Sequence, residues 1–130
     1  MNIVITGATG GVGTAVAKQF ASKGNNLILL GRNAKKLSEL GEFISNNHNV
    51  SVDFFKCDAD NGAEVKSCIK DINKLSMKIG LLINIAGVFP YGPLSKESER
   101  DFDNCLDVNL KLPYLLSLGL FNSLKKNGGG

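Results

Sequence analysis

The chain has 130 residues, 43% of them hydrophobic and 21% charged, which is room for one ordinary globular domain. Its net charge of +3 comes from thirteen lysines and two arginines against twelve acids, with no basic run longer than a Lys-Lys pair, so a nucleic-acid footprint is excluded and a solvated surface expected. No apolar run approaches the roughly 20 residues that span a bilayer, and the first residues lack the basic and apolar regions of a secretion signal, so no membrane partner and a cytoplasmic location are expected.

NIVI at residues 2–5 is a short apolar run that stops at Thr6 and Gly7, the pattern of a strand buried on both faces. Residues 12–23 switch to helical spacing, with Val12, Val16 and Phe20 on one face and Gly24 as the stop. NLILL at 26–30 is a second buried strand, followed by Arg32 and a helix over about 34–45. VSVDFF at 50–55 reads as a third strand, 63–77 as an amphipathic helix carrying Val65, Cys68, Ile69 and Ile72, and LLINIA at 81–86 as a fourth strand. Residues 88–98 form one long irregular loop. The last helix, over 105–124, is apolar on nearly every face and contains Pro113, which removes a backbone donor and bends it. Four apolar strands alternating with helices imply a parallel sheet covered on both sides and joined by right-handed crossovers, hence one doubly wound α/β domain over residues 1–130.

Cys57, Cys68 and Cys105 have no CxxC spacing and read as reduced, small apolar side chains. His48 stands alone in a polar turn, so no Ser-His-Asp set, no Cys-His pair and no metal cluster is expected.

The first strand-to-helix turn carries the chemistry. TGATGGVG at residues 6–13 lies between a strand and a helix, the context in which a glycine-rich stretch binds phosphate. Gly7 permits the tight turn, Gly11 lets the backbone approach a pyrophosphate, and Gly13 lets the helix pack close on the strand. The helix N-terminus then offers free N–H groups and about half a positive charge to an anion.

These residues resemble the signature of the short-chain dehydrogenase/reductase family, and the resemblance runs along essentially the whole chain. Thr6, Gly7, Gly11 and Gly13 match its Thr-Gly-x-x-x-Gly-x-Gly motif, while Gly7, Gly10 and Gly13 equally fit the Thr-Gly-x-x-Gly-x-x-Gly form of the family's extended branch. Asp58 and Ala59 follow the third strand, where the family places an acidic residue and its neighbour beside the adenine ring. Asn84, Ala86 and Gly87 match the Asn-Asn-Ala-Gly motif of the single-domain branch, with Ile85 in place of the second asparagine. Asn109, in the helical run DVNL, stands where the family has an asparagine that shapes the active-site water and lysine network. The resemblance implies a Rossmann-like sheet with its four strands in the order 3-2-1-4 and without the family's later strands. It also implies a dinucleotide cofactor held by Thr6, Gly7, Thr9, Gly10, Gly11, Val12, Gly13, Arg32, Asp58, Ala59, Asn84, Ala86 and Gly87.

The end of the second strand chooses the cofactor. NAD-binding domains commonly place an acid there for the ribose 2′-OH, whereas an arginine suits the 2′-phosphate of NADP. Gly31 occupies the acidic position and Arg32 follows it, with Asn33, Lys35 and Lys36 close behind, so NADP(H) is expected over NAD(H).

The activity that the resemblance implies is hydride transfer between NADP(H) and a carbonyl or alcohol. A tyrosine is its acid/base, a lysine lowers that tyrosine's pKa, and a serine on a fifth strand orients the substrate oxygen. A phenol titrating near 10 needs such a cation to work at neutral pH. No Tyr-x-x-x-Lys is present: four residues after Tyr91 stands Ser95, and four after Tyr114 stands Leu118. Of the family's four catalytic residues only Asn109 has a counterpart. The chain therefore reads as the NADP(H)-binding portion of such an oxidoreductase, truncated before its catalytic residues and inactive alone. The alternative is a non-catalytic dinucleotide-binding or assembly protein, or the remnant of a truncated gene. The glycines at 128–130, after Lys125 and Lys126, read as a helix stop that leads into a fifth strand. In the family the last helix packs on the sheet with one side and on a partner subunit with the other. Open strand edges and apolar patches also favour association, so a homo-oligomer through residues 98–124 is expected.

Overall fold

The computed structural model describes residues 1–75 and 77–130. Its elements in chain order are β1 (Asn2–Thr6), α1 (Gly11–Ser22), β2 (Asn26–Gly31), α2 (Ala34–Asn47), β3 (Val52–Lys56), α3 (Gly62–Lys74), β4 (Ile79–Ile83), α4 (Glu99–Leu106) and α5 (Leu112–Lys126). A 3₁₀ turn (Leu94–Lys96) precedes α4, and a π-helical stretch (Asp107–Lys111) joins α4 to α5. The strands pair in the order β3-β2-β1-β4 and every pairing is parallel, which is the order expected.

Strand alternation divides the core in two. Ile3 and Ile5 of β1 and Leu27 and Leu29 of β2 face a layer built from α1 and α2, through Ala17, Ala21, Leu37, Leu40 and Ile44. Val4, Ile28 and Leu30 point the other way, onto Val65, Cys68 and Ile72 of α3 and Leu112, Leu116, Leu120 and Leu124 of α5. Each fully buried Leu or Ile contributes about 1.5–3 kcal/mol, so these two layers hold the sheet.

Short local signals set the helix ends. Asn33 and Asn61 cap α2 and α3 by accepting from the N–H groups of Lys36 at 3.0 Å and Glu64 at 3.1 Å. Gly24 (φ 77°) closes α1: its N–H and that of Asn25 return to the carbonyls of Ala21 and Phe20. Gly128 (φ 62°) closes α5 in the same way, with its N–H and that of Gly129 returning to Lys125 and Leu124. Gly129 then lies so near the Gly80 carbonyl that a side chain there would collide with it, and the Leu82 N–H donates to the Gly130 carbonyl at 2.9 Å.

Four expectations need correction. The buried face of α1 centres on Gly13, Ala17 and Ala21, with Val16 and Phe20 half-buried against the same layer and Val12 67% exposed, because only small residues let this helix lie close on the sheet. The fourth strand covers Ile79–Ile83 instead of 81–86, so Asn84, Ile85 and Ala86 lie beyond its end. Only β1 and β2 are buried on both faces, since β3 and β4 are edges with half-buried side chains. The last helix begins at Glu99, and its irregularity is the wide turn at Asp107–Lys111 ahead of Pro113.

That last helical run is two-sided. Leu112, Leu116, Leu120 and Leu124 are buried, while Leu110, Tyr114 and Leu118 on the opposite side are 65%, 63% and 62% exposed. Phe102, Leu106 and Phe121 extend the exposed apolar stripe in both directions. Tyr114 is therefore on an open face and not packed in the core.

Candidate functional site

The strand order reverses beside β1: the chain moves outward through β2 and β3, then returns to the other side of β1 as β4. At such a switch point the loops leaving adjacent strand ends diverge to opposite faces and open a crevice. A cleft of about 1000 Å³ lies there, lined by the glycine loop, the start of α2, the end of β3, residues 85–88, and Val108 and Leu112.

The glycine loop forms one wall. Gly7 takes φ 64°, and a Cβ on it would come within 2.8 Å of the Ala86 backbone, so this turn needs glycine twice over. A Cβ on Gly13 would collide with the Gly7 carbonyl, and this close approach seats α1 on β1. Gly11 differs: nothing lies within 4 Å of the space its Cβ would take, and the residue is exposed. Gly10 caps α1 in an extended conformation with no side-chain bond, and the first turn carries no acid. The N-terminus of α1 is thus left open for an anion. Thr9 and Val12 line the same wall.

Thr6 has a different task from its neighbours. It is 2% exposed, and its Oγ1 accepts from the N–H groups of Ile85 at 3.0 Å and Ala86 at 3.1 Å. One hydroxyl therefore ties the end of β1 to the segment after β4 and fixes the floor of the cleft. Ala86 and Gly87 line that floor, whereas Asn84 is exposed and outside the lining.

Positive charge gathers at the far end. Arg32 and Lys36 are exposed cleft residues at the start of α2, whose first turn again carries no acid. Lys56 joins them because β2 and β3 pair with Gly31 opposite Lys56. Its ammonium lies 3.5 Å from Glu64 and is partly neutralised. Asp58 and Ala59 complete this wall; the Asp58 N–H donates to Glu64 Oε1 at 3.2 Å and its Oδ1 accepts from the Asp60 N–H at 3.3 Å.

Lys56, Cys57, Val88, Val108 and Leu112 are lining residues that sequence reading passed over. Lys56 and Cys57 had a signal, since the residues closing β3 in a parallel sheet must lie beside those closing β2. Val108 and Leu112 had none, because the fold of a long loop brings them there.

Asn109 lies at the rim, bonded to the backbone of Val88. Its Oδ1 accepts from the Val88 N–H at 3.0 Å and its Nδ2 donates to the Val88 carbonyl at 2.8 Å. Tyr91 is fully exposed on the 88–98 loop, so neither tyrosine lines the cleft. Among the described residues no group of His, Cys, Asp and Glu could hold a metal ion, and no helix is long and apolar enough to cross a membrane.

A parallel 3-2-1-4 sheet with a glycine loop and a crevice at its switch point defines a Rossmann-like α/β protein. The chain belongs to the short-chain dehydrogenase family, whose model matches residues 1–130. It is 32% identical over 128 residues to an uncharacterized oxidoreductase of Thermotoga maritima, covering 98% of this chain and 50% of that protein. It is 31% identical over 127 residues to the 3-oxoacyl-(acyl-carrier-protein) reductase of Rickettsia bellii, covering 98% and 49%. An alcohol dehydrogenase from Thermococcus sibiricus, solved with 5-hydroxy-NADP, superposes with a TM-score of 0.92 at 26% identity, over 98% of this chain and 55% of that one. The chain thus spans about half the length of these relatives.

Proposed function

We propose that this chain holds NADP(H) and is the cofactor-binding portion of a short-chain oxidoreductase acting on a carbonyl or alcohol. The observation that carries the reading is one cleft with an uncapped helix start behind Gly10 and Gly11 at one wall and exposed Arg32 and Lys36 at the other. A pyrophosphate fits the room left at Gly11, and a ribose phosphate fits the cations of the α2 start. Adenine fits beside Asp58 and Ala59, which line that end of the cleft. When bound, the nicotinamide gives or takes hydride. The chain's own residues bind and orient: Gly7, Gly11 and Gly13 shape the phosphate site, and Thr6 sets residues 85–86. Asn109 is a positioning residue that holds Val88. The relative solved with 5-hydroxy-NADP supports the phosphate-bearing form of the cofactor.

Nothing in the 130 residues supplies the Tyr-x-x-x-Lys pair that the chemistry requires, so the chain is proposed to bind without turning over. The apolar stripe from Phe102 to Phe121 supports self-association as a second role. Three free cysteines fit a reducing, cytoplasmic setting.

Calorimetric titration with NADPH and NADH tests the cofactor reading, with NADPH expected to bind at least tenfold tighter. NADPH oxidation against a panel of aldehydes and ketones is expected to stay at background. Equal affinities would remove the NADP preference, and clear turnover would remove the claim of inactivity.

A further inference from the structure

The dinucleotide reading leaves a third cation of the cleft without a task. Lys56 closes β3 opposite Gly31, the residue before Arg32, and the Cys57 N–H donates to the Gly31 carbonyl at 2.9 Å. The ends of the two strands are thereby locked side by side, and Lys56 lines the cleft together with Arg32 and Lys36.

Glu64 stands behind it. This residue is third in α3, where a glutamate ordinarily turns back to the N–H of the capping residue. That N–H, of Asn61, is already given to the Asp58 carbonyl at 3.1 Å. The Glu64 carboxylate turns to the cleft wall instead: Oε1 accepts from the Asp58 N–H at 3.2 Å, and Oε2 lies 3.5 Å from Lys56 Nζ. The two partners are unequal. The Glu64 side chain is 22% exposed and pinned by a backbone bond, whereas that of Lys56 is 55% exposed on a flexible stem. The ammonium is therefore the partner that can swing into the cleft while the carboxylate stays.

We propose that Lys56 is a specificity-determining residue for the 2′-phosphate of NADP(H), and that Glu64 sets how much of its charge the phosphate meets. The inference rests on the cofactor reading above and deepens it. A phosphate monoester carries about 1.5–2 negative charges at pH 7 and competes with a single carboxylate for the ammonium. A 2′-hydroxyl carries none and leaves the Lys56–Glu64 pair as it stands. Lys56 thus discriminates between the two cofactors. Its effect is smaller than that of a cation without a counter-ion, because each contact to the phosphate replaces one to Glu64.

Calorimetric titration of NADPH and NADH into the 130-residue chain and three variants tests this. Lys56→Met is expected to weaken NADPH about three- to tenfold and to leave NADH within about twofold, the scale of one partly screened ion contact. Lys56→Arg keeps the charge and is expected to keep the NADPH preference. Glu64→Gln retains an oxygen for the Asp58 N–H and removes the competing charge, so NADPH should bind about threefold tighter or better, with NADH unchanged. Thermal melts check that each variant folds. A wall that needed the ion pair only for its shape would respond differently, with both cofactors weakened in Lys56→Met and in Glu64→Gln alike. Equal losses for the two cofactors, or weaker NADPH binding in Glu64→Gln, would overturn the proposal. If the parent chain prefers NADPH and Lys56→Met keeps that preference intact, Lys56 is dismissed while the cofactor reading stands. If the parent chain binds neither dinucleotide, or both equally, the NADP reading fails and this assignment fails with it.

Discussion

Asn109 and Val88 share two hydrogen bonds, 3.0 Å from the Val88 N–H to Oδ1 and 2.8 Å from Nδ2 to the Val88 carbonyl. An asparagine amide here mimics a strand partner: it satisfies both backbone groups of a residue that has left the sheet. The helical run widens to a π turn at this residue, and the regular α-helical donor to the Asn109 carbonyl would come from Pro113, which has no N–H. Asn109→Ala removes both bonds, each worth about 0.5–1.5 kcal/mol. At this exposed rim the total loss is expected near the low end, about 1 kcal/mol, read as a lower urea midpoint with an unchanged slope. Asn109→Asp is expected to cost more, because its second carboxylate oxygen would stand where Nδ2 does and be repelled by the Val88 carbonyl oxygen.

Two glycines of one loop separate folding from binding. Gly13→Ala forces a Cβ onto the Gly7 carbonyl and is expected to destabilise the chain by about 2 kcal/mol or more, the range of overpacked cores. Gly11→Ala places its methyl in open space at a helix start and is expected to leave stability within about 1 kcal/mol. It should nonetheless weaken dinucleotide binding at least tenfold, because the methyl occupies the room that a pyrophosphate needs. Thermal melts beside calorimetry on the two variants would distinguish them. A Gly11→Ala variant that binds like the parent removes the phosphate site from this loop.

Arg32→Ala is expected to reduce NADPH affinity by roughly ten- to a hundredfold, the equivalent of one charge-assisted contact of about 1.5–3 kcal/mol. NADH affinity should hardly change. Lys36→Ala, at the same end of the cleft, should show a smaller loss of the same selectivity. Parallel losses for both cofactors would assign these cations to the pyrophosphate or to nonspecific attraction.

The stripe of Leu110, Tyr114 and Leu118 predicts association. Leu118→Glu introduces a charge into a 62% exposed apolar face without touching the core, so the monomer should stay folded while its oligomer dissociates. Light scattering at micromolar concentration reads the mass, and circular dichroism checks the fold. A parent chain that is already a monomer would count against the stripe as an interface.

Acid should fray α4 through its cap. Ser98 and Asp101 bond reciprocally, with the Ser98 hydroxyl donating to Asp101 Oδ2 at 2.7 Å and the Ser98 N–H at 2.8 Å. These bonds hold the Asp101 carboxyl below its ordinary value of 3.8. Its folded pKa is depressed, so its contribution is complete above the unfolded value and lost as pH falls through the lowered one. Protection factors of the α4 amides, corrected for intrinsic exchange, should therefore fall in that acid window and stay constant from about pH 5 to 8. Ser98→Ala should shift the Asp101 titration upward by NMR.

Much of the fold was legible because two periodicities dominate it. Buried strands and the 3.6-residue helical spacing gave the strand and helix alternation and the parallel sheet, the family resemblance implied the 3-2-1-4 order, and Gly7, Gly10, Gly11 and Gly13 announced the crevice by their place between a strand and a helix. The face of α1 was legible only in part, because hydrophobicity points to Val12, Val16 and Phe20 while close packing on the sheet centres on Gly13, Ala17 and Ala21, leaving Val16 and Phe20 half-buried and Val12 exposed. Pattern weighs side-chain chemistry and is blind to the distance between backbones.

Residue types and order along the chain were enough to determine the fold class, the phosphate-shaped turn and the cation at the end of β2. Tertiary structure alone decided that Thr6 is a clamp on Ile85 and Ala86, and that Lys56 and Cys57 reach the cleft. It also decided that Asn109 holds Val88. Each of these joins residues far apart in sequence or on different elements. Such pairings arise from the register of parallel strands and from the path of a long loop, and neither leaves a local signal in the chain.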